Sequence, residues 1–151
     1  MAYVNSKERK LAIPEIITQA LSEAKKAGEF KDIPVPAALL AVVREGTMEN
    51  TVLEQIGNTV FISHYSTDGK EVAMRAMNAD TARNYLDNSI EYVQKLADSG
   101  VVRMTSDFYD KRILQLFKAI ANRPEFARWG MKVTRVADGR MRAYIVMNKG
   151  T

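Results

Sequence analysis

The spacing of apolar residues changes twice along this chain, and those two changes decide most of what it can fold into. Up to Gly46 the spacing is helical. From Pro14, a favoured first helical residue, Ile13, Ile17, Ala20, Leu21 and Ala24 fall at helical spacing, and Gly28 supplies the stop. Ile33-Pro34-Val35-Pro36 is stiff and extended, and Pro36 opens a second apolar stretch, Ala37 to Val43, closed by Gly46. Its alanines and leucines favour a buried helix over a strand.

At Thr51 the period drops to two. Val52 to Ile56 and Thr59 to Tyr65 read as strands joined tightly through Gly57-Asn58. Ser66 to Lys70 carries an Asp-Gly turn, and Glu71 to Met77 alternates as a third antiparallel strand. The helical period then returns. Asp80 reads as an N-cap, followed by Ala82, Tyr85, Leu86, Ser89, Ile90, Val93, Leu96 and Ala97 as far as Gly100. Val101 to Met104 reads as a short strand. Ser106 or Asp107 is the expected cap of a helix with Tyr109, Ile113, Leu116, Phe117 and Ile120 inward, interrupted at Pro124. Lys132 to Val136 and Met141 to Met147 form a closing hairpin around Asp138-Gly139. Residues 1–13 read as an arm or short edge strand.

Composition removes several classes of function. Without cysteine there is no disulfide, thiolate metal site or cysteine nucleophile, and the single histidine, His64, rules out a multi-histidine metal site, so no metal is expected. No segment reaches the apolar length of a membrane span, and no Walker loop, catalytic triad motif or calcium loop is present. Residues 101–151 carry 11 Lys/Arg against 4 Asp/Glu, a net +7; residues 1–100 carry 11 against 14, a net −3, which together give the +4 of the chain. A basic C-terminal third suits an anionic partner, although solvated helix and hairpin faces account for it equally well.

The order of elements, α-α-β-β-β-α-β-α-β-β, resembles the GNAT fold of the acyl-coenzyme A N-acyltransferases. That α+β fold has two N-terminal helices, an antiparallel meander, a central helix, a strand, another helix and a C-terminal β-hairpin. The likeness runs from Pro14 to Lys149 within a single domain, 1–151. Its most specific piece is Phe126-Ala127-Arg128-Trp129-Gly130-Met131-Lys132-Val133 leading to Asp138-Gly139-Arg140, similar to the family's aromatic-x-x-x-glycine-hydrophobic segment. Tyr3-Val4 is the one candidate for the family's first strand. The chain also resembles small internal virion proteins of T7-like phages, in fold and in a hairpin that finishes in Lys149-Gly150.

The resemblance implies a pyrophosphate site where the loop of form Gln/Arg-x-x-Gly-x-Gly/Ala opens the central helix, glycine allowing close approach to backbone N–H groups. Here that segment is Met77-Asn78-Ala79-Asp80-Thr81-Ala82-Arg83, with no glycine. Asp80 is expected to cap the helix and repel a phosphate. On that basis the expected function is a non-catalytic GNAT-like accessory or binding protein, cytoplasmic or virion-associated, with a protein partner and no cofactor. The alternative is an active acetyltransferase. It would hold acetyl-CoA at Asn78, Ala79, Thr81, Ala82 and Arg83, with Glu71 or His64 as base and Tyr109 as the acid that protonates the thiolate. Each has a plain structural reading beside it: Glu71, like Glu54, as an exposed strand glutamate, His64 as a structural histidine, Tyr109 as core. A third expectation is a nucleic-acid-binding module, in which Phe126, Trp129 and Tyr144 combine with Arg128, Arg135, Arg140 and Arg142. Met131, Met141 and Met147 read as gap-filling hydrophobes.

Overall fold

The computed structural model describes residues 10–28, 30, 32–108, 111–137 and 139–147, the side chains of residues 111 and 137 aside. Four helices and a mixed sheet follow in chain order: α1 (Ile13–Lys26), α2 (Val35–Glu45), β1 (Thr51–Ile56), β2 (Thr59–Tyr65), β3 (Glu71–Asn78), α3 (Ala82–Asp98), β4 (Arg103–Phe108), α4 (Lys111–Ala121), β5 (Gly130–Ala137) and β6 (Arg140–Val146). The strands lie in the order β1-β2-β3-β4-β6-β5. The meander supplies the first three, β4 joins β3 in parallel, and β6 runs antiparallel between β4 and β5. The expected α+β order holds from α1 to the closing hairpin. Tyr3-Val4, Tyr109, Asp138 and the Lys149-Gly150 ending lie outside the described residues.

Contacts gather the chain into two compact units, one built on residues up to Ile62 with Ala76–Ser89, the other on Ser63–Arg75 with Ile90 onward. In the first, Ile16, Ile17 and Leu21 of α1 and Val42 of α2 bury against Val60, Ile62 and Met77. Val60 and Ile62 are two residues apart and so share one face of β2. The helix α2 forms as its composition suggests, but it is not a buried one. Val42 is its one fully buried residue, while Leu40 is 51% and Val43 43% exposed.

The second unit is laid out by strict alternation. Val72 and Met74 of β3, Met104, Ser106 and Phe108 of β4, and Ala143 and Ile145 of β6 are buried. Their neighbours in sequence, from Glu71 and Ala73 to Arg103 and Tyr144, face water. The rings of Phe108 and Phe117 pack at 5.5 Å, which seats α4 on the buried face. Phe126, in the short 3-10 turn Pro124–Phe126, is 2% exposed and its ring lies 4.3 Å from that of Trp129.

Neither residue expected to cap the helix after β4 lies at a helix start. Ser106 and Asp107 are strand residues, because β4 continues to Phe108 in unbroken register with β6, Arg103 opposite Val146 through Phe108 opposite Met141. Ladder bonds and the burial of Met104, Ser106 and Phe108 outweigh the local capping preference of serine and aspartate.

The β1–β2 turn depends on Gly57. Its φ is +57°, and a Cβ there would stand 2.8 Å from Asn88 Nδ2 and 3.0 Å from Asp80 Oδ2. Alanine adds both backbone strain and a clash with a hydrogen-bonded pair. Gly57→Ala is therefore expected to lower the unfolding free energy by about 1–3 kcal/mol, read as a shift of the urea midpoint. Gly69→Ala, also at positive φ but with nothing within 4 Å of the added carbon, should cost less.

Candidate functional site at the start of α3

The helix α3 is capped by Thr81, one residue later than expected. Its Oγ1 accepts the Asn84 N–H at 3.2 Å, and its carbonyl accepts the first helical bond, from Tyr85 N–H at 2.8 Å. Asp80 therefore does not cap the helix. Its carboxylate turns back toward the β1–β2 turn, where Oδ2 accepts the Asn58 N–H at 2.8 Å and Asn88 Nδ2 at 3.0 Å, while Oδ1 accepts Asn84 Nδ2 at 3.3 Å. Four residues per step along α3 bring Asn84 and Asn88 to the same side.

The loop entering the helix is equally tied down. The Ala79 N–H donates to the Asn58 carbonyl at 2.9 Å. Asn78 Oδ1 accepts the Asp80 N–H at 3.1 Å and the Thr59 hydroxyl at 2.8 Å, and Asn78 Nδ2 donates to the Asp80 carbonyl at 3.0 Å. Thr59 in turn accepts from Asn88 Nδ2 at 3.0 Å. Asn58, 3% exposed, accepts the Leu11 N–H on its Oδ1 at 2.8 Å, and Gln55 Nε2 donates to the Leu11 carbonyl at 2.8 Å.

The five residues assigned to coenzyme binding thus divide in two. Asn78 and Ala79 spend their polar groups on Asp80, Asn58 and Thr59. The backbone N–H groups of Thr81, Ala82 and Arg83 donate to no protein acceptor among the described residues, and all three residues are exposed. These are the first orphan donors of the helix, at its positive end, with the Arg83 cation beside them. No residue from Met77 to Arg83 has a positive φ. The loop reaches its shape without glycine.

The other assigned residues stand as follows. Glu71 begins β3, and its carboxylate pairs with Arg103 Nε at 3.0 Å on an open surface. His64 is half-buried near the end of β2, and Tyr109 lies outside the described residues. Glu54 is half-buried on β1. Among the described residues, no group of three His, Asp or Glu side chains is placed to hold a metal, and no helix is long and apolar enough to cross a membrane.

The aromatic and basic residues of the C-terminal third do not form the single surface expected of them. Phe126 is inside, against Trp129. Arg135 pairs in register with Met141, whereas Arg142 and Tyr144 alternate with it onto the other face. On that open face Arg142 grips Asp107 by two bonds, Nε to Oδ1 at 2.7 Å and Nη2 to Oδ2 at 3.0 Å, and Arg140 Nε lies 3.8 Å from the same carboxylate. The hydrogen bonds from Arg142 hold the Asp107 carboxyl below the usual carboxylate range, with its charge and that of Arg140 adding to them and burial opposing. Lys132, directly across from Tyr144, was missed as part of this face; the two-residue period of β5 was the signal that could have found it.

These elements, with a parallel strand following the central helix, define the GNAT fold. Two solved structures carry the comparison. The GNAT domain of S. lividans PAT superposes with a TM-score of 0.58 at 14% identity, covering 92% of this chain and 89% of that one. A putative phosphinothricin N-acetyltransferase superposes with a TM-score of 0.52 at 11% identity, covering 95% and 98%. No protein-family model matches the chain, and no curated protein matches it by sequence, so the likeness to internal virion proteins gains no support.

Removing the Asp80 carboxylate takes away the acceptor that lies 2.8 Å from the N–H of buried Asn58. Asp80→Ala is expected to destabilise the protein by about 1–3 kcal/mol, and Asp80→Asn, which keeps one acceptor oxygen, by less. Both are read from chemical denaturation. Asp80→Gly, the substitution that would bring the loop nearer the family's glycine pattern, should destabilise as much as alanine or more.

Proposed function

We propose that this chain binds an acyl-coenzyme A, with the pyrophosphate against the first turn of α3, and transfers the acyl group to an amine. The observation that carries the reading is the direction of Asp80. The carboxylate expected to block the helix terminus is engaged by Asn58, Asn84 and Asn88, and the N–H groups of Thr81, Ala82 and Arg83 remain open. An anion gains both hydrogen bonds and the favourable end of the helix dipole there. The donor set suits a pyrophosphate, and Arg83 supplies a cation at its edge. The GNAT fold, shared with two structures named as a GNAT domain and as a putative N-acetyltransferase, supports the same reading.

In such a transfer the amine nitrogen attacks the thioester carbonyl, the carbon–sulfur bond breaks, and coenzyme A leaves as a thiolate that takes up a proton. The amine loses a proton to a base on the way. A second reading, an accessory protein that keeps the fold and a protein partner but not the chemistry, is favoured by one observation: the Glu71 carboxylate is already paired with Arg103.

Ala82 gives a test that separates binding from folding. It is the first residue of α3, where proline is well tolerated because the N–H it removes is not used by the helix. Titration calorimetry should show acetyl-CoA binding with a Kd on the order of micromolar. Ala82→Pro should keep the melting temperature and weaken binding about tenfold, the worth of one hydrogen bond to a charged group. Absence of binding for acetyl-CoA and longer acyl-CoAs, or wild-type affinity in Ala82→Pro, would sink the proposal. Binding without release of free thiol across a panel of amines would favour the accessory reading.

A further inference from the structure

The water-facing side of β3, β4, β6 and β5 in the second unit presents three consecutive rows. The middle row reads Ala73, Thr105, Tyr144, Lys132, each opposite the next in register. The row on one side runs from Glu71 through Arg103 to Val146, and the row on the other from Asp107 through Arg142 to Thr134. Tyr144 is 43% exposed, an unusual position for so large a ring in the middle of a sheet. Its neighbours toward β3, Thr105 and Ala73, are short, so the surface beside the ring is low. Cations border it: Lys132 across the ladder, with no ion-pair partner among the described residues, Arg142 two residues along, and Arg140 sharing Asp107 with it. Each of Glu71 and Asp107 answers one guanidinium, and Lys132 and the second guanidinium on Asp107 are left over.

From this arrangement we infer that the open face of β3, β4, β6 and β5 binds single-stranded nucleic acid, with a base stacked on Tyr144 and the flanking phosphates met by Lys132, Arg140 and Arg142. A π face beside short side chains accepts any base, and cations one strand away meet the backbone that carries it. Four strands at about 4.8 Å spacing span roughly 15 Å, room for two or three bases, as sheet platforms for RNA use. An acidic polypeptide would use the cations but not the bare ring. A duplex, whose bases are already stacked on one another, offers Tyr144 nothing. The surface is independent of the α3 terminus, so it stands or falls apart from coenzyme binding.

Fluorescence anisotropy with labelled oligothymidylate and oligouridylate of about 15 nucleotides tests it on the full chain. Binding is expected at low salt, with log K falling against log salt at a slope of roughly −1.4 for about two phosphates neutralised. Tyr144→Ala should weaken binding about tenfold, while Tyr144→Phe, which keeps the ring, should bind as the parent. Lys132→Ala should reduce the slope by about 0.7, and Lys118→Ala, an exposed lysine on α4, should change nothing. The proposal is overturned by absence of binding at low salt, by unchanged affinity in Tyr144→Ala, or by preference for duplex DNA or polyglutamate over the single strand.

Discussion

One carboxylate, that of Asp80, holds together the parts on which the first unit depends. It accepts from a backbone amide in the β1–β2 turn and from two asparagines on the first turns of α3. A hydrogen bond to an ionised acceptor contributes more than a neutral one, and three on one group fix its position in every direction. The Asn58 side chain then extends the connection to Leu11, just ahead of α1. Segments distant in sequence are thereby set against one another by polar contacts, while Ile16, Ile17, Leu21, Val42, Val60, Ile62 and Met77 supply the apolar side. Burial of those side chains is non-directional. The Asp80 network adds directional contacts between the β1–β2 turn and the first turns of α3.

Glycine does two things in a phosphate-binding loop: it permits unusual φ values and it lets backbone approach closely. In this chain the two are separated from the loop. The backbone from Met77 to Arg83 needs no positive φ, and the place where atoms crowd is the β1–β2 turn, at Gly57, against Asn88 and Asp80. The glycine is required on the far side of the carboxylate from the helix terminus. It makes room for Asp80 to turn away, and the turning away is what leaves the amides of α3 open. A missing glycine motif is therefore poor evidence against anion binding when the loop's side chains are anchored elsewhere.

Local chemistry made most of the fold legible. Pro14, Gly28 and Gly46 bracket two helices, the Asp68-Gly69 turn and the change of period bracket the meander, and the long three-four pattern after Asp80 marks α3. What could not be read from neighbours was decided at a distance. Asp80 and Thr81 are both good N-caps; the choice went to Thr81 because Asn58, 22 residues earlier, claims the carboxylate. Asn84 and Asn88, at four and eight residues from Asp80, were the one sequence sign of a shared polar face. Ser106 and Asp107 carry capping chemistry in a strand whose partner, β6, begins only at Arg140. The exposure of α2 was illegible for the opposite reason, since an apolar composition reports what a helix can bury and not what is there to cover it.

Alternation in the second unit also explains how its surface chemistry is organised. Burying Met104, Ser106 and Phe108 obliges Arg103, Thr105 and Asp107 to face outward, and pairing with β6 obliges Tyr144 and Arg142 to join them. Guanidinium groups placed so closely would repel one another. Asp107 prevents this by standing between Arg140 and Arg142, and its carboxyl, lowered chiefly by the Arg142 hydrogen bonds, stays ionised in neutral solution. The carboxylate thus orients the two cations without cancelling both charges. A phosphate approaching this face meets donors already ordered, and the entropy of fixing two long side chains has been spent in folding and not in binding.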